Sequence, residues 1–183
     1  MKDSSNDIAL VVEEKQEEKV SESFNGLVIC SASDSHISEI AELWANLASI
    51  QQIYAPERYS FKGEGKDWRA FVRRKLSKEE NLLLVVHDLG SKEIKGFLYL
   101  QCVKLPNSNV VVKGVIEDIY TKPQYRRMEI ATKLLNVALK WAGKNGLKCV
   151  DMMSFKGPKD QEKFLTNLNI RLDVDVELKL FSI

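Results

Sequence analysis

The 183-residue sequence has no run approaching the roughly 18–20 apolar residues that a membrane span needs. Its N-terminus, Met-Lys-Asp-Ser-Ser, has no apolar stretch of the kind a secretory signal carries, so no such signal is read. An excess of charge of one sign is also missing: Lys+Arg 27 stand against Asp+Glu 26, a formal net charge of +1. That excludes a nucleic-acid binder of the wholly basic type, although it leaves room for a local basic site. Cysteine is scarce. Cys30, Cys102 and Cys149 are odd in number, lack metal-ligand spacing and each sit in an apolar run, which reads as buried free thiols in a reducing cytoplasm. No internal repeat stands out. What is present is the 44% hydrophobic content of an ordinary globular chain, long enough for one domain.

Residues 1–25 hold three lysines against seven carboxylates, a net −4, and read as an acidic flexible tail ahead of a domain spanning 26–183. Within the domain, Leu27–Cys30 reads as a short strand. Asp34 or Ser35 can cap the helix that follows, in which Ile37, Ile40, Ala41, Trp44, Leu47 and Ala48 recur at helical spacing. A second helix runs from Lys66 to Ser77. Leu82–His87, Ile94–Val103 and Val110–Tyr120 are strands joined by short loops, an antiparallel meander. Ile130 to Ala142 is apolar at helical spacing, and Leu147–Met153 is a further strand. Pro158 opens a helix containing Phe164, Leu165 and Leu168. Val174, Val176, Leu178 and Leu180 then alternate as a half-buried strand. The order is β-α-α-β-β-β-α-β-α-β, an α/β (α+β) fold with a mixed, mostly antiparallel sheet and helices on both faces.

Chemistry concentrates between Ile116 and Ala142: a strand, a basic turn, then a strong amphipathic helix. A helix start presents unpaired N–H groups and the positive end of the helix dipole, a ready anion site. Arg126 and Arg127 lie just before it, and residues 122–148 carry seven basic side chains against Glu129 alone, a net +6. A phosphate-rich ligand suits such a segment.

Ile116, Asp118, Ile119, Pro123, Tyr125, Arg126, Ile130 and Ala131, continued by Leu134-Leu135, resemble the acetyl-CoA motif of the GNAT superfamily of N-acetyltransferases. The element order agrees from Leu27 onward. The resemblance implies that the family's fourth and fifth strands splay apart at a bulge. Pantetheine then pairs with the backbone of Ile119, Tyr120 and Thr121, and the pyrophosphate sits on the turn of Arg126, Arg127, Met128, Glu129, Ile130, Ala131 and Thr132. It implies direct attack by an amine, with no metal. Two positions depart from the family. Glu129 replaces a glycine that admits the pyrophosphate, and Leu165 replaces a tyrosine that often protonates the leaving thiolate, with Asn169-Ile170 in place of Gly-Phe.

Glu117 and Asp118 are the candidate catalytic pair. Strict strand alternation sends them to opposite faces, so that one meets the amine and accepts its proton. Glu117 is preferred, while Asp118, the family match, can equally hold a loop. Tyr120 can line the site or pack. Tyr54, Glu57, Arg58 and Tyr59 follow the first helix, where the family places its acceptor loop. His36 and His87 are unspecific. The reading is a cytoplasmic acetyl-CoA-dependent N-acetyltransferase whose partners are acetyl-CoA and an amine acceptor, without membrane or nucleic acid, and with a homodimer allowed. A rival class stays open: a CoA-binding or regulatory module of the same architecture whose catalysis is lost, with Glu129 and Leu165 in its favour.

Overall fold

The computed structural model describes residues 21–57, 67–104, 111–147, 149–152, 159–167 and 181–182. Among these, seven strands form one sheet in chain order: β1 (Ser21–Phe24), β2 (Leu27–Ser31), β3 (Leu82–Asp88), β4 (Ile94–Lys104), β5 (Val111–Thr121), β6 (Cys149–Met152) and β7 (Phe181–Ser182). The helices are α1 (Ile37–Tyr54), α2 (Trp68–Leu76), α3 (Ile130–Lys144) and α4 (Lys159–Asn167). All neighbouring strands are antiparallel except β5 and β6, which run parallel because α3 carries the chain back across the sheet.

The continuous apolar runs of the central strands follow from burial on both faces. In β3, Leu82, Leu84 and Val86 pack on the side of α3, against Leu134, Leu135 and Ala138. Leu83 and Val85 point the other way, into a second core with Ile40, Trp44 and Leu47 of α1 and Val72 of α2. β4 repeats the division, with Leu98 and Leu100 toward α3 and Phe97 and Tyr99 toward α1. The sheet thus separates two compartments, and any opening between strands connects them.

The expected order of elements is present with one addition at the start. The sheet begins at Ser21, inside the stretch read as a tail, because Asn25 (φ 45) and Gly26 (φ 76) close a two-residue hairpin that pairs Phe24 with Leu27. Positive φ at both turn positions matches the right-handed twist of the flanking strands, and Asn-Gly adopts it readily. Glu22 is also tied to α3 through Lys140 at 3.2 Å. Residues 1–20 lie outside the described residues, as do the loop at 105–109, Pro158 and the alternating stretch 174–180. The first long helix is entered from Ser33 rather than Asp34 or Ser35: the Ser33 N–H donates to His36 Nδ1 at 3.1 Å around a single 3-10 turn. Asp67 caps α2, its carboxylate accepting from the Ala70 N–H at 2.9 Å.

Candidate active site

β5 is bound to β4 along almost its whole length, but β6 meets it only from Gly114 to Ile116. Among the described residues, Glu117 to Thr121 have no strand partner on that side. A cavity of about 540 Å³ opens at this gap, within the range of small-molecule sites. Its walls include Glu117–Thr121 of β5, Tyr125–Arg127 of the turn, Glu129–Thr132 at the helix start, Leu47, Ile50 and Gln51 of α1, and Phe164 and Leu165 of α4. Every candidate catalytic or cofactor-binding residue read from the sequence lies on this wall except Met128, which is half-exposed to solvent and absent from it.

The gap begins at a β-bulge. Leu100 pairs with Ile116 and Tyr99 with Asp118, leaving Glu117 as the extra residue on β5. This corrects the expected alternation of Glu117 and Asp118. A bulge inserts one residue and re-aims those after it, so both carboxylates reach the α1–α2 side of the sheet. Glu117 accepts from Lys75 of α2 at 2.7 Å. Asp118 accepts from Trp44 Nε1 at 2.9 Å and Gln51 Nε2 at 3.2 Å, both on α1. Asp118 is half-buried, with two neutral donors as its hydrogen-bond partners. Burial raises its proton affinity above the ordinary carboxylate value, outweighing the two hydrogen bonds that pull the other way. The same desolvation raises the Tyr120 phenol. The Thr121 hydroxyl is buried and has no hydrogen-bond partner among the described residues.

At the other end of the cavity α3 begins. Its first internal bond runs from the Lys133 N–H to the Glu129 carbonyl at 2.9 Å, so the amides of Ile130, Ala131 and Thr132 lie ahead of any helical partner. Arg127 (φ 64) and Glu129 (φ 59) both take the left-handed conformation at this turn. Glycine suits the Glu129 position for that backbone reason, and the exposed Glu129 side chain itself stands in solvent. Left-handed backbone at a non-glycine residue costs on the order of 1–3 kcal/mol, part of which glycine returns as unfolded-chain entropy. Glu129→Gly is therefore expected to stabilise the fold by about 1 kcal/mol and raise the melting temperature by roughly 2–4 °C. A thermal melt that stays level or falls would contradict the backbone account.

The turn is braced from the β3–β4 hairpin. Glu93 accepts from Lys122 Nζ at 2.8 Å and from the Tyr125 hydroxyl at 2.9 Å, while Lys95 Nζ lies 3.8 Å from the centre of the Tyr125 ring. The Lys122 side chain and the Tyr125 phenol hold the Glu93 carboxyl below its ordinary proton affinity. Its contribution to stability is thus present above the ordinary carboxylate pKa and lost as pH falls through the lowered native value. Glu93→Gln should lower the melting temperature slightly at neutral pH, because the group is solvent-screened. The difference from the parent should shrink toward zero in acid. A difference that persists at low pH would show that the carboxylate charge is not what braces the turn.

Sequence reasoning missed Gln51, Lys75 and Glu93. Gln51 carried a signal, since it falls on the apolar stripe of α1, one turn beyond Leu47 and Ala48. Lys75 and Glu93 carried none, being charged residues on polar stretches that only the folded sheet brings to the site. Tyr54 and Glu57 are exposed and do not line the cavity, and Arg58 and Tyr59 lie outside the described residues. His36 and His87 lie with ring centres 6.3 Å apart, away from the cavity wall.

A family model described as the acetyltransferase (GNAT) family matches residues 44–158, from α1 through the gap and past β6. The chain belongs to the GNAT acetyltransferase family. Solved structures share its architecture. A ribosomal-protein-alanine N-acetyltransferase from Brucella melitensis biovar Abortus 2308 is 16% identical, with a TM-score of 0.62 over 85% of this chain and 99% of that one. An aminoglycoside acetyltransferase from an uncultured soil metagenomic sample, in complex with trehalose, is 14% identical, with a TM-score of 0.61 over 88% and 99%. A transcriptional regulator from Bacillus halodurans C-125 is 17% identical, with a TM-score of 0.62 over 85% and 99%. At these identities the likeness is one of fold. No curated protein sequence matches the chain. No helix among the described residues is long and apolar enough to cross a membrane.

Proposed function

We propose that this GNAT protein is an acetyl-CoA-dependent N-acetyltransferase that moves the acetyl group to a primary amine by direct attack. The observation that carries the reading is a half-buried carboxylate of raised proton affinity, Asp118, on the wall of a cavity that also contains a helix N-terminus and strand backbone unpaired among the described residues. In this reading the side of Ile119, Tyr120 and Thr121 left unpaired among the described residues pairs with pantetheine. The amides of Ile130, Ala131 and Thr132, with Arg126 and Arg127 beside them, take the pyrophosphate. The amine approaches from the α1 side, past Gln51. Its nitrogen forms a bond to the acetyl carbon, a β5 N–H holds the developing oxyanion, Asp118 takes the amine proton and the C–S bond breaks.

Asp118 displaces Glu117 as the proton acceptor. Glu117 is engaged by a lysine at 2.7 Å, whereas burial sets Asp118 in favour of binding a proton. The acceptor is a primary amine of unspecified kind. The three free cysteines and the balanced charge favour a reducing, cytoplasmic setting.

Calorimetric titration with acetyl-CoA tests the reading, coupled to thiol release over a panel of amines. Binding is expected together with a rise in melting temperature, since a ligand that binds only the native chain stabilises it by mass action. Absence of binding at millimolar acetyl-CoA would overturn the proposal. Binding without thiol release for any amine would favour the regulatory module, for which the buried Leu165 is the relevant observation: it offers no phenol to the departing thiolate.

A further inference from the structure

Lys75 stands in the last turn of α2 and reaches over the sheet to the bulge. Its Nζ donates to Glu117 Oε2 at 2.7 Å, lies 4.3 Å from the centre of the Tyr99 ring and 5.4 Å from that of Phe71. The Lys75 side chain keeps only 19% of its surface. Two aromatic faces and a carboxylate make a cage for an ammonium group. The carboxylate belongs to the bulge residue on the cavity wall, next to the stretch of β5 that has no partner on its β6 side among the described residues. An ion pair that served only to clamp α2 to the sheet could sit anywhere along β4 or β5. This one places a primary amine of the chain itself 2.7 Å from the carboxylate of a residue on the cavity wall, a group able to take its proton.

We propose that Lys75 is an acceptor of the acetyl group, so that the chain acetylates itself at this position. The proposal rests on the acetyltransferase reading above. Glu117 takes the proton from Nζ, and the neutral amine forms a bond to the thioester carbonyl carbon. The C–S bond breaks, and the leaving sulfur recovers the proton to give free CoA thiol. The products are one ε-N-acetyl-lysine and one CoA per chain. Acetylation removes the charge that engages Glu117 and the cation that lies over Tyr99 and Phe71, which releases the Glu117 carboxylate into the cavity.

The test incubates the full-length chain with acetyl-CoA and maps acetyl groups by peptide mass spectrometry, with acetyl-CoA affinity measured on the same sample by calorimetry. Because position rather than intrinsic reactivity selects the amine, Lys75 should be modified at least about tenfold faster than the exposed Lys140. The rate should not depend on protein concentration, and a heat-denatured chain should lose the preference. Lys75→Arg should keep the melting temperature and the acetyl-CoA affinity, yet take no acetyl group at this position. Glu117→Gln should slow modification of Lys75. Acetyl-CoA bound normally with Lys75 no more modified than Lys140, or a rate that rises with protein concentration, would sink this proposal while leaving the acetyltransferase reading intact. Failure of acetyl-CoA to bind would remove both.

Discussion

Asp118→Asn should lower turnover by about 10²–10⁴-fold, the contribution typical of a positioned proton acceptor, while acetyl-CoA affinity and melting temperature hold. The half-buried carboxylate is held by Trp44 and Gln51, and asparagine keeps its shape and one acceptor oxygen toward them. What asparagine cannot do is take the amine proton. Charge enters the stability argument with a definite sign. Burial raises the native proton affinity of Asp118 above that of the unfolded chain. The folded state therefore holds this proton more tightly, and the group makes folding less favourable as pH climbs from the ordinary carboxylate value through the raised native one. Asparagine removes that penalty, so the variant should be no less stable at neutral pH. In the parent, kcat/KM should fall as pH drops through the raised Asp118 value, and the variant's residual activity should lack that limb. If Asp118→Asn turns over normally and Glu117→Gln does not, the roles of the two carboxylates are reversed. A variant that melts early would make Asp118 a structural anchor for α1.

The elements between Leu27 and Asn167 were largely legible because each obeys one period. The helices carry apolar residues every three to four positions, and β3 and β4 read as unbroken apolar runs, the mark of strands covered on both faces. β1 was legible in principle: Asn25-Gly26 is the strongest short hairpin signal, but the acidic stretch before it masked the strand. The site was half legible. The basic turn before Ile130 announces an anion site through composition alone. The Glu117–Asp118 relation could not be read, because period-two reasoning assumes an unbroken ladder and the bulge at Glu117 breaks it. Sequence spacing records no bulge when no glycine marks it. The partners of both carboxylates come from residues 42 and 67–74 positions away, a separation at which pattern carries no information about contact. The same limit applies to Glu93, whose carboxylate meets Lys122 and Tyr125 only because the β3–β4 hairpin ends beside the turn.

Arg126 and Arg127 both line the cavity at the start of α3, and removing the one that meets phosphate should weaken acetyl-CoA about 10- to 150-fold. The range follows from the roughly 1.5–3 kcal/mol of a charge-assisted hydrogen bond, at about 1.4 kcal/mol per factor of ten. Arginine presents planar paired donors that match phosphate oxygens. The two side chains are not equivalent. Arg126 is half-buried and its Nε donates to the Thr121 carbonyl at 3.4 Å, which directs the guanidinium along the end of β5. Arg127 is exposed on left-handed backbone, where water and salt weaken a charge. Arg126→Ala should therefore show the larger loss, and the Arg127→Ala loss should shrink further at high ionic strength. A pantetheine fragment without the nucleotide separates the explanations. In the proposed binding mode it pairs with β5 and does not reach the helix start, so its affinity should be almost unchanged in either variant. Equal weakening of both ligands would mean that the arginine holds the turn together rather than the phosphate. Unchanged acetyl-CoA affinity in both variants, with normal melting, would remove the phosphate site from the start of α3 and with it the main support for a CoA thioester as donor.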